Sequence, residues 1–534
     1  MTKPTRYQIL CVIPLMLLPA GVLAQLLDPA AFNKPPTDTW PTFNGEYSGR
    51  RYSTLAKITT ANVKNLALAW THRYDLGALS GSQQAWEGRR IKATPLLVRG
   101  VLYFSITDHI WAVDARSGRE YWHYTWPDNR AIHVANRGLG MYGNWLYYMT
   151  PDNYLLSLNA KDGKERWRKQ VADVKQDWFS SFAPVVIGNH VLTAAGNNNE
   201  VRSWLEARDP ETGDLQWKWY TTPEPGEPGS ETWPDVESML HGGGNPWLNG
   251  TYDPELNLYY FGTGDGVPRM RPPHPNAQGE DSLYTATMIA LNPDTGKKVW
   301  HFQVTPHDNR DWDAAQTPIL FDGEFKGQRR KMLAQVSRNG YFFLLDRITG
   351  KNLVTTKYMP ETNWGRGIDE QGHVIPDYSK DVGNAQGTLV SPYALGATNS
   401  WSPAYDPKTG LIFVNASRSW NFISRSGRGN VRYPREYVTM AIDYKTGKVV
   451  WTHELGDKGT GNLISGLLTT AGGILFGGDS MGNFLAMDPG TGKTLWHVNV
   501  DQFVTNAPMT YELNGRQYVL VAANDTLFAF TLPN

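Results

Sequence analysis

The feature of this chain that most constrains its fold is a short motif that recurs along almost its whole length. Each copy has Asp or Asn, a turn that ends in Gly and, in most copies, a Trp four residues after that Gly. The acidic or amide side chain bonds its own backbone in such a turn, and the Gly supplies the positive φ. The copies begin at Asp114, Asn159, Asp209, Asn292, Asp346, Asp443 and Asp488, and the Asp346 copy lacks the Trp.

Apolar runs flank these turns, for example Leu155–Leu158 and Phe342–Leu345, so each copy is interpreted as a β-hairpin. Several copies lie about 45 to 55 residues apart, a spacing typical of four-stranded propeller blades. The Trp of each copy can then pack against the next unit. A stacked solenoid is the alternative, and the absence of a sustained helical periodicity argues against a helical repeat.

The seven copies leave one further blade for the two ends of the chain to form. We expect Leu66–Trp70 to pair with Val519–Ala522 and Leu527–Phe530, because this closure removes exposed sheet edges. The sequence therefore predicts an all-β, eight-bladed propeller that occupies residues 25–534 as a single domain.

The N-terminus has the pattern of a secretory signal peptide. Lys3 and Arg6 precede an apolar run, and a small-residue cleavage site ends at Ala24. We expect residues 1–24 to be removed and the mature protein to be periplasmic, with an uncleaved anchor as the alternative. No later stretch approaches the roughly 18 apolar residues of a membrane helix, so no membrane span is expected.

Charge and cysteine content exclude several classes of function. The 51 basic residues balance 51 acidic residues, so no net field favours nucleic acid or an anionic membrane. The one cysteine, Cys11, lies in the predicted signal peptide. The mature chain is therefore expected to have no disulfide, no thiolate nucleophile and no CxxCH motif for covalent haem.

The blade motif and the segment Thr305–Asp313 (TPHDNRDWD) resemble the methanol and ethanol dehydrogenases that use pyrroloquinoline quinone (PQQ). The resemblance covers nearly the whole mature chain and implies oxidation of an alcohol to an aldehyde or ketone. The family's catalytic carboxylate corresponds to Asp311, and Asp313 corresponds to an additional Asp of lanthanide-using members. Because residues two apart on an extended segment point the same way, both carboxylates can approach one hard cation. A solvated acidic loop is the alternative interpretation.

Other positions correspond to cofactor contacts in this family. Trp247, in Gly242–Trp247, corresponds to the Trp on which the quinone ring lies, and a flat apolar indole suits stacking. Arg338 corresponds to an Arg that contacts the quinone carbonyl, and Arg137 to one that binds the cofactor carboxylates. The resemblance also implies cofactor contacts at Ile132, Ser181, Asn245 and Ser417.

At two of the implied metal ligands, this chain has an acid where the family has an amide and amides where the family has an acid. The family usually has Asn where this chain has Asp265, and Glu where this chain has a run of amides. One alignment places Asn198 at that second position, another places Asn199 there, and Glu200 is a third candidate. Three carboxylates suit a trivalent lanthanide and would also hold calcium, and we favour the lanthanide. The predicted metal ligands are Asn198, Asp265, Asp311 and Asp313.

Two departures concern the walls of the implied cofactor pocket. Well-known family members cover the cofactor with a disulfide between adjacent cysteines, and this chain has Ala131 and Ile132 at that place. We expect Ile132 and His133 to cap the cofactor instead. A family Trp corresponds to Ile464, which widens the pocket and favours a substrate larger than methanol.

The expected partners are a small alcohol and a separate cytochrome c or similar electron acceptor, because the chain has no haem motif. No nucleic acid is expected, and a homodimer is left open. Two other functions compete with this one. A PQQ enzyme acting on sugars or aldehydes would use the same site. A non-enzymatic propeller scaffold for envelope assembly would share the blades, but would not need Trp247, Asp311, Asp313 and Arg338 in this register.

Overall fold

The computed structural model describes residues 27–76, 90–127, 137–197, 201–266, 281–381, 386–424, 427–429, 436–456 and 465–533. The predictions for residues 1–24, Ile132, His133, residues 198–200 and Ile464 fall outside the described residues.

The described residues form eight blades, which confirms the predicted propeller. Seven blades are antiparallel sheets of four strands, and the seventh along the chain has a fifth strand, Tyr52–Ser53, which pairs parallel with Leu468–Thr470. In the first four blades the strands follow sequence order, so each blade is a simple meander. Before blade 1 come β1 (Tyr52–Ser53) and β2 (Ala67–Arg73). Blade 1 contains β3 (Leu96–Val98), β4 (Val101–Ile106), β5 (His109–Asp114) and β6 (Glu120–Thr125); blade 2 contains β7 (Gly140–Tyr142), β8 (Trp145–Met149), β9 (Tyr154–Asn159) and β10 (Glu165–Gln170); blade 3 contains β11 (Val185–Ile187), β12 (His190–Ala195), β13 (Trp204–Arg208) and β14 (Leu215–Tyr220); blade 4 contains β15 (Thr251–Asp253), β16 (Leu258–Gly262), β17 (Thr287–Asn292) and β18 (Lys297–Gln303).

Blades 5 to 8 follow the same plan, with added strands between and within blades 5 and 6. Blade 5 contains β19 (Ile319–Phe325), β20 (Gln328–Val336), β21 (Tyr341–Asp346) and β22 (Asn352–Lys357); then come a hairpin of β23 (Gly365–Ile368) and β24 (Val374–Pro376), and β25 (Gln386–Val390); blade 6 contains β26 (Ala404–Asp406), β27 (Leu411–Arg418), β30 (Glu436–Asp443) and β31 (Val449–Glu454), while β28 (Asn421–Ser424) and β29 (Gly427–Gly429) pair with β25; blade 7 contains β32 (Leu468–Thr470), β33 (Ile474–Gly478), β34 (Asn483–Met487) and β35 (Thr494–Asn499); blade 8 contains β36 (Met509–Leu513), β37 (Arg516–Ala523), β38 (Thr526–Thr531) and β2.

Helical structure is scarce in the described ranges. The α-helix α1 is short and lies just before the segment that contains Trp247. No helix among the described residues is long and apolar enough to cross a membrane. The helical elements are α1 (Val236–Leu240) and the 3₁₀ segments Pro29–Asn33, Val63–Asn65, Val174–Gln176, Ser230–Thr232 and Tyr378–Lys380.

The two ends of the chain close the ring, as the sequence predicts. Strand β2 pairs antiparallel with β38, with Ala67 opposite Thr531 and Arg73 opposite Thr526. It does not pair with Val519–Ala522 as expected, because those residues lie in β37, on the other side of β38. Blade 8 therefore contains strands from both ends of the propeller, which joins the last blade to the start of the ring.

The motif Trp residues join neighbouring blades. Trp300 of blade 4 donates from Nε1 to the carbonyl of Arg347 in blade 5, at 3.2 Å. Its ring lies against Gly350, where an added Cβ would be 2.7 Å from the indole. The same contact recurs between Trp122 and the carbonyl of Ala160, at 3.0 Å. Only Gly permits this approach, because it has no side chain and adopts the positive φ of the turn. The prediction that the Trp packs on the next unit is confirmed.

The hydrophobic core follows from the same arrangement. Buried apolar side chains lie between the faces of neighbouring sheets, and each cluster draws on adjacent blades. At the blade whose motif lacks Trp, Oγ1 of Thr356 donates to the carbonyl of Gly447 at 2.8 Å and supplies a polar link to the next blade. The result is a rigid ring on which loops can be fixed.

Replacing Gly350 by Ala tests this Trp docking. Gly350 has φ +74° and faces Trp300, whereas Gly327 has φ +77° with nothing within 4 Å of an added Cβ. Both replacements strain the backbone, but only Gly350→Ala also displaces an indole, and overpacking typically costs about 1 to 3 kcal/mol. We expect Gly350→Ala to lower the free energy of unfolding in urea by about that much more than Gly327→Ala. Equal losses in the two variants would show that the Trp contact contributes nothing.

Candidate active site and metal centre

Loops of blades 4 and 5 bring the predicted site residues to the same end of the strands, on one face of the propeller. Trp247 precedes β15, Asp265 follows β16, and Asp311 and Asp313 follow β18. Arg338 lies in the turn between β20 and β21. In an antiparallel meander the start of the first strand and the ends of the second and fourth lie at the same edge. These five residues therefore meet although they are far apart in sequence.

Three carboxylates form the centre of the site. Oxygens of Asp265, Asp311 and Asp313 lie within 4.8 Å of one another. Asp265 and Asp313 are each only 5% exposed. Carboxylates this close and this buried repel one another strongly unless positive charge lies among them. Oxygen donors in such a cluster are the ligands that a hard cation prefers, so the residues present fit a metal ion.

Arg338 supplies positive charge from the protein itself. Its Nη2 lies 3.3 Å from Oδ1 of Asp311, and its Nη1 is paired with Oδ2 of Asp313. Nη2 also donates to the carbonyl of Ala394 at 2.9 Å, which fixes the guanidinium. Arg338 brings one positive charge to a group of three carboxylates, and the oxygen donors there also suit a cation. These ion pairs add to the cofactor contact predicted for Arg338.

Asp313 connects the carboxylate cluster to Trp247. Its Oδ1 accepts the backbone N–H of Asp265 at 2.7 Å, and its Oδ2 accepts Nε1–H of Trp247 at 2.8 Å. The guanidinium carbon of Arg137 lies 4.6 Å from the centre of the Trp247 ring. Oγ of Ser181 donates to the carbonyl of Trp247 at 3.3 Å. Three predicted cofactor residues thus lie together, beside the predicted metal site.

Asn245 and Ser417, which were also predicted to contact the cofactor, are both buried. The carbonyl of Asn245 accepts the N–H of Gly264 at 3.0 Å, next to Asp265. The N–H of Ser417 donates to the carbonyl of Ala397 at 2.7 Å, and the N–H of Ala397 donates to the carbonyl of Arg338 at 2.8 Å. Main-chain bonds therefore tie both residues to the loops of the site, and their cofactor contacts stay predictions.

The backbone conformation between Asp311 and Asp313 differs from the prediction. The sequence predicts that Asp311 and Asp313 share one face of an extended segment. That prediction is wrong, because Asp311 has φ 75° and lies in the left-handed region. The chain turns at Asp311, and this turn rather than an extended strand brings the two carboxylates together.

Three further residues of this loop were not identified from the sequence. The carboxylate of Asp308 accepts the N–H of Arg310 at 2.9 Å and the N–H of Trp312 at 2.6 Å. Burial raises the pKa of Asp308 above its ordinary value, and the charge of Asp265 adds to this shift. The spacing of two and four residues is typical of an Asp that caps a turn, and this was the available signal.

The side chains of Arg310 and Trp312 hold the loop against the rest of the protein. Arg310 forms an ion pair with Asp381 in which both side chains are almost fully buried. Burial lowers the pKa of Arg310 to about 10. Nε1 of Trp312 donates to the carbonyl of Tyr393 at 3.0 Å, and its ring centre lies 5.3 Å from that of Trp364. Both neighbours of Asp311 are therefore anchored.

Comparison with known proteins shows where this fold and site occur. A family model described as "PQQ: Glucose/ethanol/alcohol dehydrogenase, beta-propeller domain" matches residues 40–365 and 434–519. The quinohemoprotein alcohol dehydrogenase of Comamonas testosteroni is 34% identical over 536 residues, which cover 91% of this chain and 72% of that protein. The quinoprotein alcohol dehydrogenase PedH of Pseudomonas putida is 35% identical over 522 residues, covering 89% and 84%. A solved europium-containing methanol dehydrogenase has a TM-score of 0.81 and 27% identity, over 94% of this chain and 99% of that one.

The propeller and its carboxylate cluster define a class of enzymes that use PQQ together with a metal ion. The chain belongs to the PQQ-dependent alcohol dehydrogenase family and is an oxidoreductase. The family resemblance drawn from the sequence is confirmed, while the assignment of Asp313 to the additional Asp of lanthanide-using members stays a prediction.

The residues present also fit PQQ. The guanidinium carbon of Arg137 lies 4.6 Å from the centre of the Trp247 ring. The indole is a group that can stack on a planar aromatic ring, and the guanidinium is a group that can pair with the carboxylates of a tricarboxylate such as PQQ. The alternative of a solvated acidic loop does not fit, because Asp265 and Asp313 are buried.

Replacing Arg338 by Ala removes the internal countercharge. We expect Arg338→Ala to destabilise the metal-free protein by about 3 to 5 kcal/mol, the usual cost of leaving a buried charge unpaired. La³⁺ would then raise the melting temperature of the variant more than that of the wild type, because it no longer competes with a guanidinium. Thermal unfolding with and without La³⁺ measures both effects.

Arg347 provides the matched control. It is also buried and also pairs with two carboxylates, Asp253 at 2.6 Å and Asp322 at 2.7 Å. Arg347→Ala is expected to lose stability without any added rescue by La³⁺. An equal response to La³⁺ in Arg338→Ala and in the wild type would contradict a cation site beside Arg338.

Proposed function

We propose that this chain is a periplasmic enzyme that oxidises a small alcohol to an aldehyde or ketone with PQQ and a bound metal ion, and that electrons pass to a separate cytochrome c or similar acceptor. The observation that carries the proposal is the buried cluster of Asp265, Asp311 and Asp313, hydrogen-bonded through Asp313 to Trp247. The predicted signal peptide supports the periplasmic location. The alcohol-oxidising relatives support the substrate class.

The metal ion would be held by Asp265, Asp311 and Asp313, with Asn198 as the further predicted ligand. We favour a lanthanide over calcium because three carboxylates match a trivalent charge and ligand charge tunes affinity. The similarity to a europium-containing methanol dehydrogenase supports this preference.

The three carboxylates would have different tasks. The side chain of Asp311 is 17% exposed and that of Asp313 is 7% exposed, so a substrate reaches Asp311 more readily. Asp311 would therefore accept the hydroxyl proton of the alcohol as general base. Nη2 of Arg338, 3.3 Å from Oδ1 of Asp311, favours the ionised form that this task needs.

The other site residues would orient the cofactor. Trp247 offers its ring as the floor, and its Nε1–H bond to Asp313 fixes the plane of that ring. Arg137 and Ser181, both beside Trp247, would contact the cofactor carboxylates and edge, and Ile132 is proposed to lie above it. When bound, PQQ would supply a quinone that accepts hydride from the alcohol, and the metal ion would supply Lewis-acid character.

A second candidate function is the oxidation of a sugar at the same site, because the matching family model includes glucose dehydrogenases in its description. The substitution of Ile464 for a family Trp is our reason to expect a substrate larger than methanol. A non-enzymatic scaffold is not supported, since the chain belongs to an enzyme family.

Reconstitution tests the proposed function. We expect purified apoprotein to reduce a dye with alcohols only when both PQQ and a metal ion, either Ca²⁺ or a light lanthanide, have been added. A panel of alcohols, sugars and aldehydes ranks the substrates by kcat/KM. Higher values for sugars than for any alcohol would favour the second candidate. Neither activity nor quinone absorbance in any combination would contradict the proposal.

Asp313 tests the choice of metal. Asp313→Ala should reduce lanthanide-dependent turnover much more severely than calcium-dependent turnover, because a trivalent ion loses more from the removal of a charged ligand. Asp313→Asn keeps the side-chain size and one of the two acceptor oxygens while the charge is gone, so it should show the same selective loss of lanthanide-dependent turnover. Assays with each metal at saturating PQQ measure the ratio. Equal losses with both metals would remove the reason for preferring a lanthanide.

A further inference from the structure

Asp311 lies in the left-handed region of backbone conformation, with a φ of 75°. Residues other than Gly adopt this region uncommonly, although Asp does so more often than most. Where the surrounding structure fixes such a conformation, it can mark a functional site. The proposed general base therefore depends on contacts made by other residues.

The carboxylate of Asp308 makes the most direct of these contacts. Its Oδ1 accepts the N–H of Arg310 at 2.9 Å, and its Oδ2 accepts the N–H of Trp312 at 2.6 Å. These are the N–H groups of the residues before and after Asp311. Bonding both to one carboxylate holds them close together, and the chain turns between them at Asp311.

Asp308 itself is buried, at 7% exposure, and the two residues it binds are anchored elsewhere. Arg310 is tied by its buried ion pair with Asp381, and Trp312 by the hydrogen bond to the carbonyl of Tyr393. Asp308 is thus the common point of a fixed frame around Asp311.

We propose that Asp308 is a positioning residue: by accepting both flanking N–H groups it locks Asp311 in the left-handed conformation and so sets the carboxylate cluster for its metal ion and for the alcohol. The proposal rests on the proposed function of that cluster. It assigns to Asp308 no contact with the substrate or the cofactor.

The arrangement requires a carboxylate rather than an amide. Both oxygens of Asp308 act as acceptors, one for each N–H. Asn offers a single acceptor oxygen, and its amide N–H₂ would face a second donor. Asp308→Asn is therefore nearly isosteric, yet it breaks one of the two bonds that flank Asp311.

Terbium luminescence reports on the cluster without any turnover. Tb³⁺ bound there would be sensitised by Trp247, whose Nε1 is 2.8 Å from Oδ2 of Asp313. We expect Asp308→Asn to weaken Tb³⁺ binding by about ten- to one-hundred-fold, the usual effect of removing a group that orients metal ligands. In the reconstituted enzyme kcat should fall while the KM for the alcohol changes little.

Asp369 provides a control for the same spacing of two and four residues away from the site. In the β23–β24 hairpin its Oδ1 accepts both the N–H of Gln371 at 3.0 Å and that of His373 at 2.8 Å, so a single acceptor oxygen is enough there. Asp369→Asn should leave Tb³⁺ binding and kcat unchanged. If Asp308→Asn binds Tb³⁺ and turns over like the wild type, the positioning role is wrong. If the wild type itself binds no Tb³⁺, the proposed metal site fails instead.

Hydrogen exchange of the wild-type holoenzyme keeps the proposal testable even if Asp308→Asn does not fold. The N–H groups of Arg310 and Trp312 are expected to exchange slowly, because their acceptor is a buried carboxylate. Exchange at these two amides as fast as in an unstructured peptide would overturn the inference.

Discussion

The repulsion among three closely spaced carboxylates, two of them buried, is the constraint on which the rest of this structure depends. Asp265, Asp311 and Asp313 are held with their oxygens within 4.8 Å of one another, which is stable only when positive charge lies between or beside them. Arg338 supplies part of that charge from within the protein. The remainder fits a metal ion, and the same cluster is joined to the cofactor floor by the hydrogen bond from Trp247 to Asp313.

Such a cluster needs a scaffold that does not relax. The site residues lie in connections between strands, and the strands that hold those connections are fixed because neighbouring sheets are docked by indole rings on glycines. The pairing of β2 with β38 completes the ring. The loop that contains Asp311 adds its own supports, Asp308 on the backbone and Asp381 and Tyr393 on the side chains of its neighbours. The packing of the blades and of this loop thus stabilises an arrangement in which like charges lie close together.

The sequence predicted the architecture well because the blade motif is local. The turn, the Gly and the Trp lie within a few residues of one another, and each copy specifies both a hairpin and a contact to the next blade. The site residues Trp247, Asp265, Asp311, Asp313 and Arg338 were identified through the family resemblance, and the structure brings them together.

What could not be predicted depends on contacts between distant loops. The left-handed turn at Asp311 depends on bonds to Asp308 and on the ion pair of Arg310 with Asp381, which lies between blades 5 and 6. Sequence periodicity does not indicate these contacts. The pairing of Arg338 with two carboxylates likewise joins separate blades. The roles of Asn198, Ile132 and Ile464 stay predictions.

The most direct test of the central claim is X-ray diffraction from crystals of the protein reconstituted with PQQ and Eu³⁺, recorded at the europium absorption edge. We expect one strong anomalous peak among Asp265, Asp311 and Asp313, with planar density against the Trp247 ring. An anomalous peak elsewhere, or planar density away from Trp247, would contradict it.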